Sequence, residues 1–114
     1  MIKDYFLVSK NEKMSSIIEK ILLNSHRAVV VVEKNKVLGL ISEGDILKSL
    51  IYKKNINATA SSLMNKSFKF LSKRDNQAAQ KIFKRYLCSL IPIVNSNMVL
   101  KDLFTLEEFL SKIK

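Results

Sequence analysis

Residues 26–50 read HRAVVVVEKNKVLGLISEGDILKSL, and residues 88–110 read CSLIPIVNSNMVLKDLFTLEEFL. Each stretch is an apolar run, a short polar break and a second apolar run. Each then has a hydroxyl residue, followed three positions later by an acidic residue that opens an amphipathic helix. Val32 and Val94 lie 62 residues apart, and Ser42 and Thr105 lie 63 apart. A period of this length means two copies of one supersecondary unit, which must stack to bury their apolar faces.

Working outward, residues 4–9 (DYFLVS) are β-prone, and residues 13–24 place Met14, Ile17, Ile18, Ile21 and Leu22 on one helical face. Residues 27–33 are a β-branched run, as in a strand covered on both faces. The break EKNK at 33–36 reads as a turn, with Asn35 suited to positive φ. A second strand at 36–41 precedes a helix running from Ser42 to about Lys53. Residues 55–65 form a connector with a short helix, and residues 68–71 are β-prone again. A helix at 76–87 turns Ala79, Ile82, Phe83 and Tyr86 or Leu87 inward. Strands at 90–94 and 98–104 flank a turn at 95–97, and a helix at 105–113 closes the unit. Each half therefore reads β-α-β-β-α.

The chain has 114 residues, enough for one domain. Two repeats of about 55 residues are each marginal alone, so one shared core is expected. The net charge of +10 invites an anionic partner: nucleic acid, nucleotide phosphates or an acidic protein surface. The lysines are spread along the chain, so a solvated basic surface explains them as well. The one cysteine, Cys88, allows no internal disulfide and no cysteine metal cluster, and it reads as a small core residue. Charges interrupt the N-terminal residues, and the longest apolar run is far too short to span a bilayer. A cytoplasmic protein without membrane contact is expected.

The segment Gly39-Leu40-Ile41-Ser42-Glu43-Gly44-Asp45, following strand, turn and strand, resembles the signature of the cystathionine-β-synthase (CBS) domain, which occurs in tandem pairs. Ile91-Pro92-Ile93-Val94 is similar to that family's second-repeat strand. There Asp102 stands at the glycine position, Thr105 at the hydroxyl position and Glu108 at the aspartate position. A gapless alignment puts Phe104 and Glu107 at the last two instead. The resemblance implies an α/β (α+β) fold of two β-α-β-β-α repeats packed with pseudo-two-fold symmetry. Repeat 1 would span residues 1–54, and the connector with repeat 2 residues 55–114. GLISEGDILKSL followed by NATASSLMNKSFKFL looks, more narrowly, like the CBS pair ahead of the catalytic domain in bacterial sugar nucleotidyltransferases.

The resemblance further implies an adenosine nucleotide (AMP, ADP or ATP) as a regulatory ligand between the repeats, with no cofactor otherwise. It points to Gly39, Ser42, Gly44 and Asp45 in repeat 1, to His26 and Arg27 ahead of the first central strand, and to Thr105 and Glu108 in repeat 2. The chemistry suits these types. Amides at a helix start receive phosphate oxygens. A serine hydroxyl donates, and a carboxylate accepts from both ribose hydroxyls. Residue types alone favour helix caps, because Ser42-x-x-Asp45 and Thr105-x-x-Glu108 both resemble capping boxes. The resemblance, with Gly39 in place, turns Ser42 and Asp45 towards ligand but leaves Thr105 and Glu108 as caps first. Lys84 and Arg85 are weaker phosphate candidates that also fit a solvated helix face. Phe6, Phe68 and Phe70 flank the linkers and read as core.

The sequence carries no Gly-rich phosphate loop or metal-ligand cluster, and it has one histidine, so no enzymatic activity is expected. The closing helices bear apolar stripes: Ile46, Leu47, Leu50 and Ile51 in one, Leu106, Phe109, Leu110 and Ile113 in the other. In CBS pairs such helices pack against a second pair, so a homodimer is expected, with a nucleotidyltransferase or other enzyme domain as the regulated partner. Specific nucleic-acid binding is not expected, since the aromatics are not interleaved with basic residues. A basic nucleic-acid-binding protein and a ligand-free dimerisation module are the alternatives.

Overall fold

Val29, Val30 and Val31 are sealed from solvent, and their side chains alternate between two separate cores. This is the double-sided burial that the β-branched run implies. In the structure, a computed structural model describing residues 2–86 and 88–111, that run is strand β2, Ala28–Glu33. It pairs in parallel with the short β1, Leu7–Val8, and antiparallel with β3, Lys36–Ser42. Lys34 and Asn35 both take positive φ (51° and 66°) in the hairpin turn, as the asparagine there predicts. The segment ahead of β1 is a tight 3-10 turn at Asp4–Phe6 rather than extended chain.

Helix α1, Met14–Asn24, buries Met14, Ile17 and Ile21 on the sheet and leaves Leu22 exposed. Helix α2, Glu43–Lys48, continues as a π-helical turn at Ser49–Lys53, which makes up the helix expected from Ser42 to Lys53. The connector carries the short α3, Ala60–Leu63.

The second repeat follows the first. Helix α4, Asn76–Tyr86, turns Ala79 and Phe83 inward but leaves Tyr86 exposed, and Leu87 lies outside the described residues. Strands β4, Leu90–Val94, and β5, Leu100–Thr105, pair antiparallel, and α5, Leu106–Ser111, closes the unit. Ile113 lies outside the described residues.

Residues 68–70 are not a strand, and only Leu71 bridges β4, in parallel with Ile93. Leu71 donates to the Pro92 carbonyl (3.0 Å) and accepts from the Val94 amide (2.9 Å). The next rung needs an amide at position 92 giving to the carbonyl of residue 69. Proline has none, so the ladder stops there.

The two hairpins share their irregularities. Val31 opposes Gly39 and Ile93 opposes Asp102, and the register shifts immediately afterwards in each, at Val31/Val32 and at Ile93/Val94. Val32 then pairs with Val37 and Val94 with Leu100, so the second turn holds one more residue. That residue accounts for the change of offset from 62 to 63. It puts Thr105, not Phe104, at the position of Ser42.

The sheets face each other across a core of Ala28, Val30, Val37, Leu90, Val94 and Leu103. Helices α1, α2 and α3 cover the outer face of the first sheet, and α4 and α5 cover that of the second. Short bonds join the sheets at their ends, from Val37 to the Met98 carbonyl (2.9 Å) and from Leu100 to the Asn35 carbonyl (2.8 Å). The result is an α+β pair of repeats about a pseudo-two-fold axis. No helix among the described residues is long and apolar enough to cross a membrane.

Candidate functional site

The buried side chain of Asn24, which sequence reasoning passed over, shapes one wall of the cleft between the repeats. Its Nδ2 donates to the carbonyls of Tyr5 (2.9 Å) and Ala28 (2.8 Å), and its Oδ1 accepts from the His26 amide (2.8 Å). All three bonds hold the turn from α1 into β2, where Ser25 and Arg27 take positive φ (62° and 61°). The turn presents His26 and Arg27 at the cleft. The His26 ring stacks on Phe6 with centroids 5.5 Å apart, and Arg27 is exposed.

On the same side, the Glu43 amide donates to the Arg27 carbonyl (2.9 Å), so the start of α2 is pinned beside this turn. The equivalent bond in repeat 2 runs from Leu106 to Ser89 (2.8 Å). Ser42 caps α2. Its Oγ accepts from the Asp45 amide (3.2 Å), and the Asp45 carboxylate accepts from the Ser42 amide (2.9 Å) and hydroxyl (3.0 Å). The capping box read from the sequence is therefore formed. Only Oδ2 of Asp45 takes part in these bonds, and the box leaves Ser42 and Asp45 at the mouth of the cleft.

The cleft has a volume of about 470 Å³ and is lined by His26, Arg27, Ser42, Glu43, Gly44 and Asp45 from repeat 1. Asn65 of the connector and Tyr86, Cys88, Ser89 and Leu90 of repeat 2 close it. A smaller recess of about 160 Å³ extends it past Asn65, Tyr86 and Cys88 to Ser67, Phe68 and Lys69. The Lys69 ammonium lies 4.7 Å from the centroid of the Tyr86 ring. The repeat 1 wall thus carries two carboxylates and a hydroxyl, the adjoining turn carries an arginine and a histidine, and the far end is aromatic.

Gly39 does not line this cleft. A Cβ there would meet the Asn65 carbonyl oxygen and the Met64 side chain at 3.0 Å, so glycine lets the connector pack on β3. The bonds it permits are Leu40 to Asn65 (3.1 Å) and Asn65 to Leu40 (2.7 Å). A Cβ at Gly44 would meet only Ser42 Oγ, at an ordinary 3.6 Å, so glycine there serves no internal packing and leaves the cleft wall bare.

Cys88 is half-buried: it packs against the second repeat's core and also lines the cleft margin. Burial pushes its thiol up from the ordinary value, against a bond within its own backbone. Phe68 packs on the intersheet core, whereas Phe70 is exposed. Arg85 lies on the exposed face of α4, 5.7 Å from the Tyr86 ring, and Lys84 is exposed on the same helix.

The second repeat's equivalents are placed differently. Thr105 Oγ1 accepts from the Glu108 amide (3.1 Å), so Thr105 caps α5. The Glu108 carboxylate is held by Arg74, and neither Thr105 nor Glu108 lines the cleft. Among the described residues no group of His, Cys, Asp or Glu is arranged to hold a metal ion.

A β-α-β-β-α repeat and a second one whose leading strand is reduced to the single bridge at Leu71, with a common intersheet core and a cleft between them, define a class of paired α+β modules. Residues 1–52 match the family described as the CBS domain. Over nearly its whole length the chain has the fold of solved CBS-domain proteins. No curated protein sequence matches it. Among solved structures it is similar to a CBS domain protein from Pyrobaculum aerophilum complexed with AMP, at 14% identity and TM-score 0.79, covering 95% of this chain and 85% of that one. It is similar to CBSX2 in complex with AMP, at 17% identity and TM-score 0.76, covering 92% and 84%. A CBS domain-containing protein from Thermotoga maritima matches at 19% identity and TM-score 0.79, covering 96% and 85%.

Proposed function

We propose that the chain is a regulatory module that senses an adenosine nucleotide in the cleft between its repeats. The observation that carries this reading is the convergence on one cleft of Ser42, Gly44 and Asp45 from the start of α2 with His26 and Arg27 from the turn before β2. The pairing suits a nucleoside phosphate: Asp45 offers its Oδ1 carboxylate oxygen to ribose hydroxyls, and Arg27 offers donors to phosphate. Two similar structures hold AMP, which supports the choice of ligand class.

The module itself carries out no chemistry in this reading. It works in the cytoplasm on a partner enzyme, for which a sugar nucleotidyltransferase domain is the candidate. A ligand changes that partner only by binding one arrangement of the two repeats more tightly than another. Residues 1–54 and 55–114 are the two units that shift. A homodimer fits the same reading, because Leu22, Leu47 and Ile51 are each at least half exposed on the helical face of repeat 1. Light scattering at high micromolar chain concentration is expected to give twice the monomer mass, and a monomer there removes the dimer.

The deciding experiment is calorimetric titration of AMP and of ATP into the wild type and into Asp45→Ala. Saturable binding that weakens tenfold or more in the variant is the expected result. If the wild type binds neither nucleotide, or the variant binds as well as the wild type, Ser42 and Asp45 serve only as helix caps and the sensing reading fails.

A further inference from the structure

The hairpin registers make Asp102 the counterpart of Gly39, Leu103 that of Leu40 and Glu108 that of Asp45. In repeat 1 the outer edge of Leu40 is bonded to the main chain of Asn65, and Asn65 lines the cleft. In repeat 2 a side chain stands in that place. Arg74, in the turn before α4, donates from Nη2 to the Leu103 carbonyl (2.9 Å). The Leu103 amide gives to its neighbour's carboxylate, Asp102 Oδ1 (2.8 Å).

The same guanidinium takes both acids of the degenerate signature. Nη2 meets Asp102 Oδ2 at 2.7 Å, and Nη1 donates to Glu108 Oε2. Its carbon lies 4.8 Å from the ring centroid of Phe104, which is sealed from solvent. The bonds to Glu108 and Asp102 push the arginine further up from an already high value. Partial burial pushes Asp102 up, but the bonds from Arg74 and the Leu103 amide outweigh it and hold that carboxyl below its ordinary value. Both partners therefore stay ionised near neutral pH.

We infer that Arg74 withdraws the Glu108 carboxylate from the second repeat's ligand position, leaving one nucleotide site per chain. The inference rests on the nucleotide reading of repeat 1. The Glu108 carboxylate, at the position where Asp45 is offered to a ribose, is spent on Arg74. A nucleotide that used this carboxylate would have to take it from a guanidinium held by three acceptors and a ring face. It must also bring phosphate towards two carboxylates that one cation does not fully neutralise.

The test counts AMP bound per chain by calorimetry. The wild type is expected to take one. A triple variant, Arg74→Ala with Asp102→Gly and Glu108→Asp, restores the repeat 1 residue types and is expected to take two. The double variant Asp102→Gly with Glu108→Asp, which keeps Arg74, is expected to take one. Two equivalents bound by the wild type, a second equivalent in the double variant, or none gained by the triple variant overturns the inference. If the wild type binds none and the triple variant binds one, the reading of repeat 1 fails while the role of Arg74 stands. Circular dichroism checks folding, with Arg74→Gln replacing Arg74→Ala if needed. If neither variant folds, nitrogen-edited NMR of the wild type's arginine side chains decides. Saturating AMP is expected to move Arg27 and leave Arg74 unmoved, and movement of Arg74 overturns the inference.

Discussion

The hydroxyl of Ser89 donates to the main-chain carbonyl of His26 at 2.6 Å, joining residues 63 apart in the chain at the entrances to the two central strands. Ser89 stands before β4 as Arg27 stands before β2. The bond therefore ties the repeats together beside the turn that presents His26 and Arg27 to the cleft. Loss of one such bond costs about 0.5–1.5 kcal/mol. Ser89→Ala is expected to lower unfolding stability by that amount, read in urea denaturation, and to weaken AMP binding by less than the removal of Asp45 does.

Asp45 has two separable duties. As a cap partner it helps hold the start of α2, and as a cleft acceptor it meets a ligand. A charge-assisted hydrogen bond contributes about 1.5–3 kcal/mol, so Asp45→Ala is expected to weaken AMP binding roughly tenfold to a hundredfold. Ser42→Ala removes the cap acceptor and is expected to cost about 1 kcal/mol of stability. Titration and thermal melting of both variants distinguish ligand loss from helix fraying. Glu108→Ala, which touches Arg74 and not the cleft, is expected to leave the affinity for AMP nearly unchanged.

Gly39→Ala tests the packing reading of that glycine. Its methyl would press on the Asn65 carbonyl and Met64 at 3.0 Å. Overpacking of this kind costs about 1–3 kcal/mol. Chemical denaturation is expected to show the loss. Gly44→Ala, whose methyl meets nothing tighter than 3.6 Å, is expected to be neutral or slightly stabilising, because alanine favours helix over glycine.

Acid is expected to loosen the fold through two carboxylates. Burial pushes Glu12 up, but bonds from the Ser16 hydroxyl, the Ser9 amide and Lys20 hold it below its ordinary 4.5. Asp102 likewise sits below 3.8. Both folded values are depressed, so the unfolded chain binds more protons between the folded and ordinary values, and stability rises with pH across that window. The contribution is complete above the ordinary values and is lost as pH falls through the lower folded ones. Melting temperature against pH is expected to be flat from neutral down to about 5 and to fall below it. In Arg74→Gln the part due to Asp102 is expected to shrink.

Phe104 joins the core of the second repeat to the arginine clamp. Its ring meets Phe83 edge-on at 6.1 Å and Phe109 at 6.4 Å, with the Arg74 guanidinium on its face. Truncating a buried aromatic costs about 3–5 kcal/mol. Phe104→Ala is therefore expected to be among the most destabilising single changes, visible as a large drop in the denaturation midpoint. Phe70→Ala, at an exposed ring, is expected to fall within about 0.5 kcal/mol of wild type.

The repeat, the order of elements and the cap residues were legible because each is a local property. A β-branched run, an asparagine turn and Ser-x-x-Asp declare themselves over a few residues. The offset between Ser42 and Thr105 was open in the sequence, since one inserted turn residue changes no local propensity. Strand register settled it. Tertiary structure alone decided which of the candidate residues share a cleft. Gly39 belongs to the signature by sequence, yet it faces the connector, because the outer edge of β3 is where the chain returns. Asn24 and Arg74 carry no sequence signal of their own. An asparagine at a helix end and an arginine in a turn look solvated until folding brings carbonyls and carboxylates 28 or more residues away in the chain to Arg74, and the Tyr5 carbonyl, 19 residues away, together with main-chain groups of the following turn to Asn24. Such contacts depend on distances in space. A linear pattern specifies those only where the partners are a helical turn or a strand pairing apart.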